Sequence, residues 1–142
     1  LRARMMYAST MALNNLTLYG RTGGDWGVHA IGHVLSLVYN VPHGASLSVV
    51  YPAWLKLQVE RITERISTLG KRLFGTSDVQ ETILLITHMF RAFQSPVNIA
   101  ELNISGFDRD YILERMRTTN VTGYVHTLNE SDYAQLLERM ME

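Results

Sequence analysis

The chain has 142 residues, no cysteine, and thirteen basic side chains against thirteen acidic ones. That length suits one domain with a real core. The missing thiols exclude a disulfide framework or a thiolate metal site, and the balanced charge implies no overall attraction to nucleic acid or an anionic membrane. No apolar run approaches the length of a membrane span and no signal peptide is evident, so a cytoplasmic protein is the default expectation.

Helical periodicity dominates from the start. Arg2 to Tyr19 carries Met5, Met6, Met11, Ala12, Leu16 and Tyr19 at helical steps. These read as core packing against neighbouring helices rather than as a flexible methionine surface. Arg21 to Gly24 breaks the pattern, with Gly23-Gly24 read as a turn between helices. Asp25 is expected to cap the next helix, a reading preferred over a metal carboxylate.

The segment Trp26 to Asn40 is apolar nearly all round, which implies burial on several sides. Val28, Ile31, Leu35 and Val38 gather on one side, and Trp26, Ala30 and Leu37 on another. One lane is polar: His29, Gly32, His33, Ser36 and Asn40. His29 and His33 stand four apart and share a helix face. Pro42 ends the element, and His43 then offers a third imidazole. A polar lane on a buried helix needs partners, because unpaired buried polar groups are costly. A single histidine of this kind is usually satisfied in a core; two in register plus a third favour a metal or a catalytic site. A zinc-protease site is excluded, since Ala30 stands where its general-base glutamate belongs.

After His43, an apolar stretch from Ala45 to Leu57 contains Pro52, expected to kink or split a helix. Ser46 and Ser48 fit close helix approach better than nucleophilic chemistry. Tyr51, Trp54 and Lys56 are read as ordinary helix residues rather than cleft residues. Val59 to Phe74 has an apolar stripe of Ile62, Ile66, Leu69 and Leu73, with its charges on the solvated face. Ser77 with Gln80 forms a capping-box pattern before a helix bearing Val79, Ile83, Ile86 and Phe90. His88 and His126 read as isolated histidines. Ser95-Pro96 breaks the chain, Gly106 precedes a helix around Asp110 to Arg117, and Asn120 to Thr127 is a connecting loop. Asn129 caps the last helix, with Leu128 and Tyr133 placed as a hydrophobic staple. About seven helices and little or no sheet are expected: an all-α fold occupying residues 1–142 as a single domain.

The run Gly23-Gly24-Asp25-Trp26-Gly27-Val28-His29-Ala30-Ile31-Gly32-His33, continued by Pro42-His43-Gly44-Ala45, resembles the metal signature of the iron-containing (group III) alcohol dehydrogenases. Asp25-Trp26 and Tyr51-Pro52-Ala53-Trp54 resemble the butanol dehydrogenase branch in particular. Ser95-Pro96-x-x-Ile99-x-Glu101-Leu102 echoes a family loop more loosely. The resemblance implies the helical C-terminal domain of a dehydroquinate synthase-like fold. It implies His29 and His43 as ligands of a divalent metal, iron or zinc, and His33 as a catalytic and cofactor-binding residue near the nicotinamide of NAD(H) or NADP(H). An alcohol or aldehyde is the implied substrate.

Two of the family's features lie outside this sequence. There is no strand followed by a G-x-G-x-x-G turn for a pyrophosphate. The family's aspartate and first histidine ligands fall upstream of the signature, and the chain starts at Leu1 inside an amphipathic run. The expectation is therefore a C-terminal domain whose nucleotide-binding partner domain is missing, inactive alone and weak in metal binding. Apolar surface along the histidine lane also leads us to expect a homo-oligomer. Two alternatives differ in class. A self-contained metal-binding or sensing module would need His88, His126 or an acidic residue to converge on the site. A purely structural domain would need carbonyl or hydroxyl partners for both His29 and His33.

Overall fold

The computed structural model describes residues 1–20 and 23–142, so Arg21 and Thr22, within the expected break at Arg21 to Gly24, lie outside the described residues. Among the described residues there are six α-helices, two short 3-10 turns and no strand. The helices are α1 (Arg2–Leu13), α2 (Gly27–Tyr39), α3 (His43–Leu73), α4 (Val79–Ala92), α5 (Arg109–Thr118) and α6 (Glu130–Met141). The all-α expectation holds, with one helix fewer because two expected segments merge into α3. Among the described residues, no helix is long and apolar enough to cross a membrane.

The long α3 is the spine, packing against α2, α4 and α6, while α5 bridges α2 and α6. Its first half joins the main core, where Val49, Val50, Ala53 and Trp54 meet Ile31 and Leu35 of α2, Ile112 and Met116 of α5, and Leu136, Leu137 and Met140 of α6. Its second half makes a smaller core, Leu55 and Ile66 against Ile83 and Ile86 of α4. Removing these side chains from water is the main favourable term holding the helices together.

Where each helix starts and stops follows from local chemistry. Asn40 closes α2 in the left-handed region (φ 52, ψ 35), a conformation asparagine tolerates. Pro42 then precedes the first residue of α3, where its fixed φ suits a helix start. Asp108 caps α5 by accepting the Tyr111 N–H, and Asn129 and Asp132 form a reciprocal capping box on α6. Leu128 and Tyr133 both join the main core, as the staple reading requires.

Several local expectations are corrected. The helix runs through Pro52, and the departure from helical geometry comes at Ile62 (φ −131, ψ 27). The cap of α4 is Asp78 with Glu81, one residue later than Ser77 with Gln80, because the Ser77 carbonyl accepts a bond from Ser67 and stays outside the helix. Leu37 is 83% exposed, so α2 is not buried all round. The largest difference is α1: it buries none of its residues, and Met5 and Met6 are exposed rather than packed in a core.

Candidate metal centre

The site is built where α2 and α3 approach closely, and Gly32 helps them do so. A Cβ at that position would lie 3.0 Å from Leu47 Cδ2 and 3.1 Å from Ser46 Oγ. Beside it, Ser36 and Ser46 share a hydrogen bond of 3.0 Å between the helices, and Ser46 also donates to the His43 carbonyl at 2.8 Å. Ser46 is fully buried, so its hydroxyl serves close helix approach, as expected. A tight crossing secured by buried hydroxyls sets the first residue of α3 against the middle of α2.

Three imidazoles meet there. His29, His33 and His43 each offer a ring nitrogen, and the three atoms lie within 4.8 Å of one another. The closest pair is His29 Nδ1 and His43 Nε2, 3.2 Å apart. Two nitrogens held about 2.0–2.1 Å from a tetrahedral ion stand about 3.3–3.4 Å apart, so this edge fits a shared metal. The His33 ring stacks at a tilt on that of His43, with centroids 4.6 Å apart. His29 is partly buried, whereas His33 and His43 are exposed. Burial, and then the charges of His43 and His33, push the His29 pKa below its ordinary value. The neutral imidazole so favoured is the form that binds a metal.

Neither structural nor self-contained alternatives gain the partners they need. Among the described residues, His29 and His33 take no carbonyl or hydroxyl partner, and the histidine cluster includes neither His88, His126 nor any carboxylate. Asp25 is not part of it either. It does not cap α2, whose N-cap is Trp26 without a side-chain bond. Its Oδ1 instead accepts the backbone N–H groups of Val125 and His126, a hundred residues away in sequence.

The cluster borders two hollows. His29 lines a cavity of about 1380 Å³ together with Trp26, Tyr51, Trp54, Phe90 and His126. His33 lines a smaller one of about 500 Å³ with Trp26, Leu37, Val121 and Tyr124. Tyr51 and Trp54 thus do edge a cleft, against the plain helical reading, although Trp54 is also core. Its indole covers Gly27, where any Cβ would overlap the ring. His126 is the functional candidate that sequence reasoning passed over; no spacing rule links it to His29, because only the fold of the loop brings it to the cavity.

The alcohol dehydrogenase signature can now be weighed against known proteins. The model of the Fe-containing alcohol dehydrogenase family, C-terminal, matches residues 1–141. The chain belongs to the iron-containing alcohol dehydrogenase family. Among its relatives, the probable NADH-dependent butanol dehydrogenase 1 of Bacillus subtilis is 26% identical over 97% of this chain and 38% of its own length. The NADPH-dependent aldehyde reductase YqhD of Escherichia coli is 24% identical over 85% of this chain and 33% of its own length. The crystal structure of NADH-dependent butanol dehydrogenase A from Thermotoga maritima superposes with a TM-score of 0.86 at 25% identity, covering 96% of this chain and 38% of that one. The helical C-terminal fold of iron-containing alcohol dehydrogenases is therefore the fold of this chain, which spans less than two fifths of these relatives' length.

Proposed function

We propose that this chain is the metal-bearing part of a nicotinamide-dependent alcohol dehydrogenase or aldehyde reductase, with His29 and His43 as two of the metal's ligands. The observation that carries the reading is the 3.2 Å separation of His29 Nδ1 and His43 Nε2 at a tight helix crossing. The relatives' names, NADH-dependent butanol dehydrogenase and NADPH-dependent aldehyde reductase, support the reaction class and the nicotinamide partner. His29 and His43 would hold a divalent ion, iron or zinc, which would supply Lewis acidity toward the oxygen of an alcohol or aldehyde.

The chain's own residues do the rest. His29 and His43 present their imidazoles from two helices whose spacing Gly32 and the Ser36–Ser46 bond fix. His33, exposed beside them, has a ring able to donate or accept a hydrogen bond and so to orient a nicotinamide or relay a substrate proton. On this reading the nucleotide site and any further ligand come from another domain, because the histidine cluster contains no carboxylate among the described residues and the sequence holds no G-x-G-x-x-G turn. Imidazole ligation suits iron, zinc and other divalent ions alike, so the metal's identity rests on chemistry beyond this pair.

Titration of the purified chain with Co²⁺, followed by its visible absorption, tests the ligand assignment. Weak binding is expected, abolished in His29→Ala and His43→Ala and retained in His33→Ala. Tight stoichiometric binding would favour the self-contained module, and no binding would remove the metal reading. Aldehyde-dependent oxidation of NADH or NADPH by the chain alone would overturn the expectation that turnover needs a further domain.

A further inference from the structure

Asp25 stands at a junction that the metal reading leaves unused. It precedes α2, whose first turn has no side-chain cap and starts from Trp26 held in the left-handed region at φ 61. Such a start does not fix its own direction, because a bulky residue there is strained and the orphan N–H groups receive no capping bond. The direction is fixed from outside. The Asp25 carbonyl accepts the Tyr124 N–H at 2.8 Å. Its Oδ1 accepts two more backbone N–H groups, from Val125 at 2.7 Å and His126 at 3.0 Å. Three consecutive amides of the loop therefore converge on one residue at the foot of the histidine helix.

The loop is shaped for that carboxylate. A Cβ on Gly123 would overlap both carboxylate oxygens, so a residue without a side chain faces Asp25 there. The carboxylate's other oxygen, Oδ2, is buried and takes no hydrogen bond among the described residues. Burying a charged group this way is tolerated when charge-assisted bonds to backbone N–H groups compensate it. The consequence lies one turn away on each side: Trp26 sits 5.1 Å, ring to ring, from His29. His29 and His126 in turn both line the large cavity.

We propose that Asp25 is a positioning residue of the cleft, clamping the loop over residues 123–126 to the start of the histidine helix and so fixing His126 relative to His29. The inference deepens the metal reading, because the wall it fixes is that of the cavity His29 opens onto. It assigns His126 to the cleft lining as an imidazole whose backbone is held while its ring remains free to meet a polar ligand. A rigidly held backbone beneath a free polar side chain is what a binding wall needs.

Two readouts on the full 142-residue chain test it. The first is amide hydrogen exchange at Val125 and His126, which needs no metal. Asp25→Ala is expected to speed exchange there by about tenfold to a hundredfold, as losing charge-assisted bonds predicts. Asp25→Asn, which keeps an acceptor oxygen, is expected to restore most of the protection. Gly123→Ala displaces the carboxylate from the other side and should reproduce Asp25→Ala, with the double variant no worse than either. The second readout is the paramagnetic shift of the His126 amide proton when Co²⁺ is bound: one fixed shift in the wild type and Asp25→Asn, averaged to a smaller one in Asp25→Ala. Unchanged exchange in Asp25→Ala, or no rescue by Asp25→Asn, overturns the proposal. A wild-type chain that binds no Co²⁺ while the exchange pattern holds would remove the metal reading and leave the clamp standing.

Discussion

Gly32 carries more of the proposed site than its size suggests. A Cβ at Gly32 would meet Leu47 Cδ2 and Ser46 Oγ inside ordinary contact distance, so Gly32→Ala is expected to displace these side chains, and with them the start of α3, by a few tenths of an ångström. His43 rides on the first turn of α3, and the 3.2 Å edge with His29 widens accordingly. The expected result is a loss of Co²⁺ affinity of about tenfold with the helical content unchanged, measured by titration beside circular dichroism. Gly27 makes a different demand, since the Trp54 indole occupies the place of its side chain. Gly27→Ala is expected to cost about 1–3 kcal/mol of stability by overpacking, read from denaturant unfolding. Tyr133 offers a third residue-scale test. Its buried hydroxyl donates to the Val121 carbonyl at 2.8 Å, so Tyr133→Phe leaves that oxygen unpaired and should cost about 1–3 kcal/mol.

At the scale of elements, the segment after Ser95 shows how a loop is held by one side chain. Glu101 accepts the Val97 N–H and pairs with Arg91 at 2.8 Å, tying the loop to the last turn of α4. Burial alone raises its carboxyl, but the Val97 bond and the Arg91 guanidinium outweigh that and hold it below the usual 4.5. A carboxyl lowered in the folded state stabilises the fold above its ordinary value, and that contribution fades as pH falls through the folded one. The melting temperature should therefore drop as pH falls below the ordinary carboxyl range, and Glu101→Gln should flatten part of that drop. The segment was legible as a break at Ser95-Pro96, and the role of Glu101 was not, because its partners lie four and ten residues away across a turn. Likewise, Pro52 announced a break, while the non-helical geometry inside α3 falls at Ile62, which gave no sign of it.

On the scale of the whole molecule, α1 stands apart. It and the following turn expose Met5, Met6, Tyr7, Leu13, Leu16 and Tyr19, and α1 buries no residue. A helix without buried contacts adds little to cooperative unfolding. A chain beginning at Gly23 is expected to melt within about 3 °C of the full 142 residues, and light scattering should show less self-association at high concentration. A large fall in melting temperature on truncation would mean that α1 packs on the body in solution. The remaining five helices form one continuous framework, with α3 passing from the main core to the smaller one.

The sequence by itself determined the helical class, some helix ends such as the Asn129 cap, and the family. Those depend on short-range rules: periodicity along a wheel, a capping side chain three residues from its N–H, a histidine spacing of four and then ten. His29, His33 and His43 could be singled out because a helix and a proline turn bring near neighbours in sequence together. Only the tertiary structure decided what the long-range partners would be. That Asp25 serves a loop a hundred residues away, that His126 reaches the cavity of His29, and that Gly32 and Gly27 are contact surfaces rather than weak helix formers all follow from helices crossing. The burial of α1 failed for the same reason: an apolar pattern states what a helix can cover, and packing settles what there is to cover it.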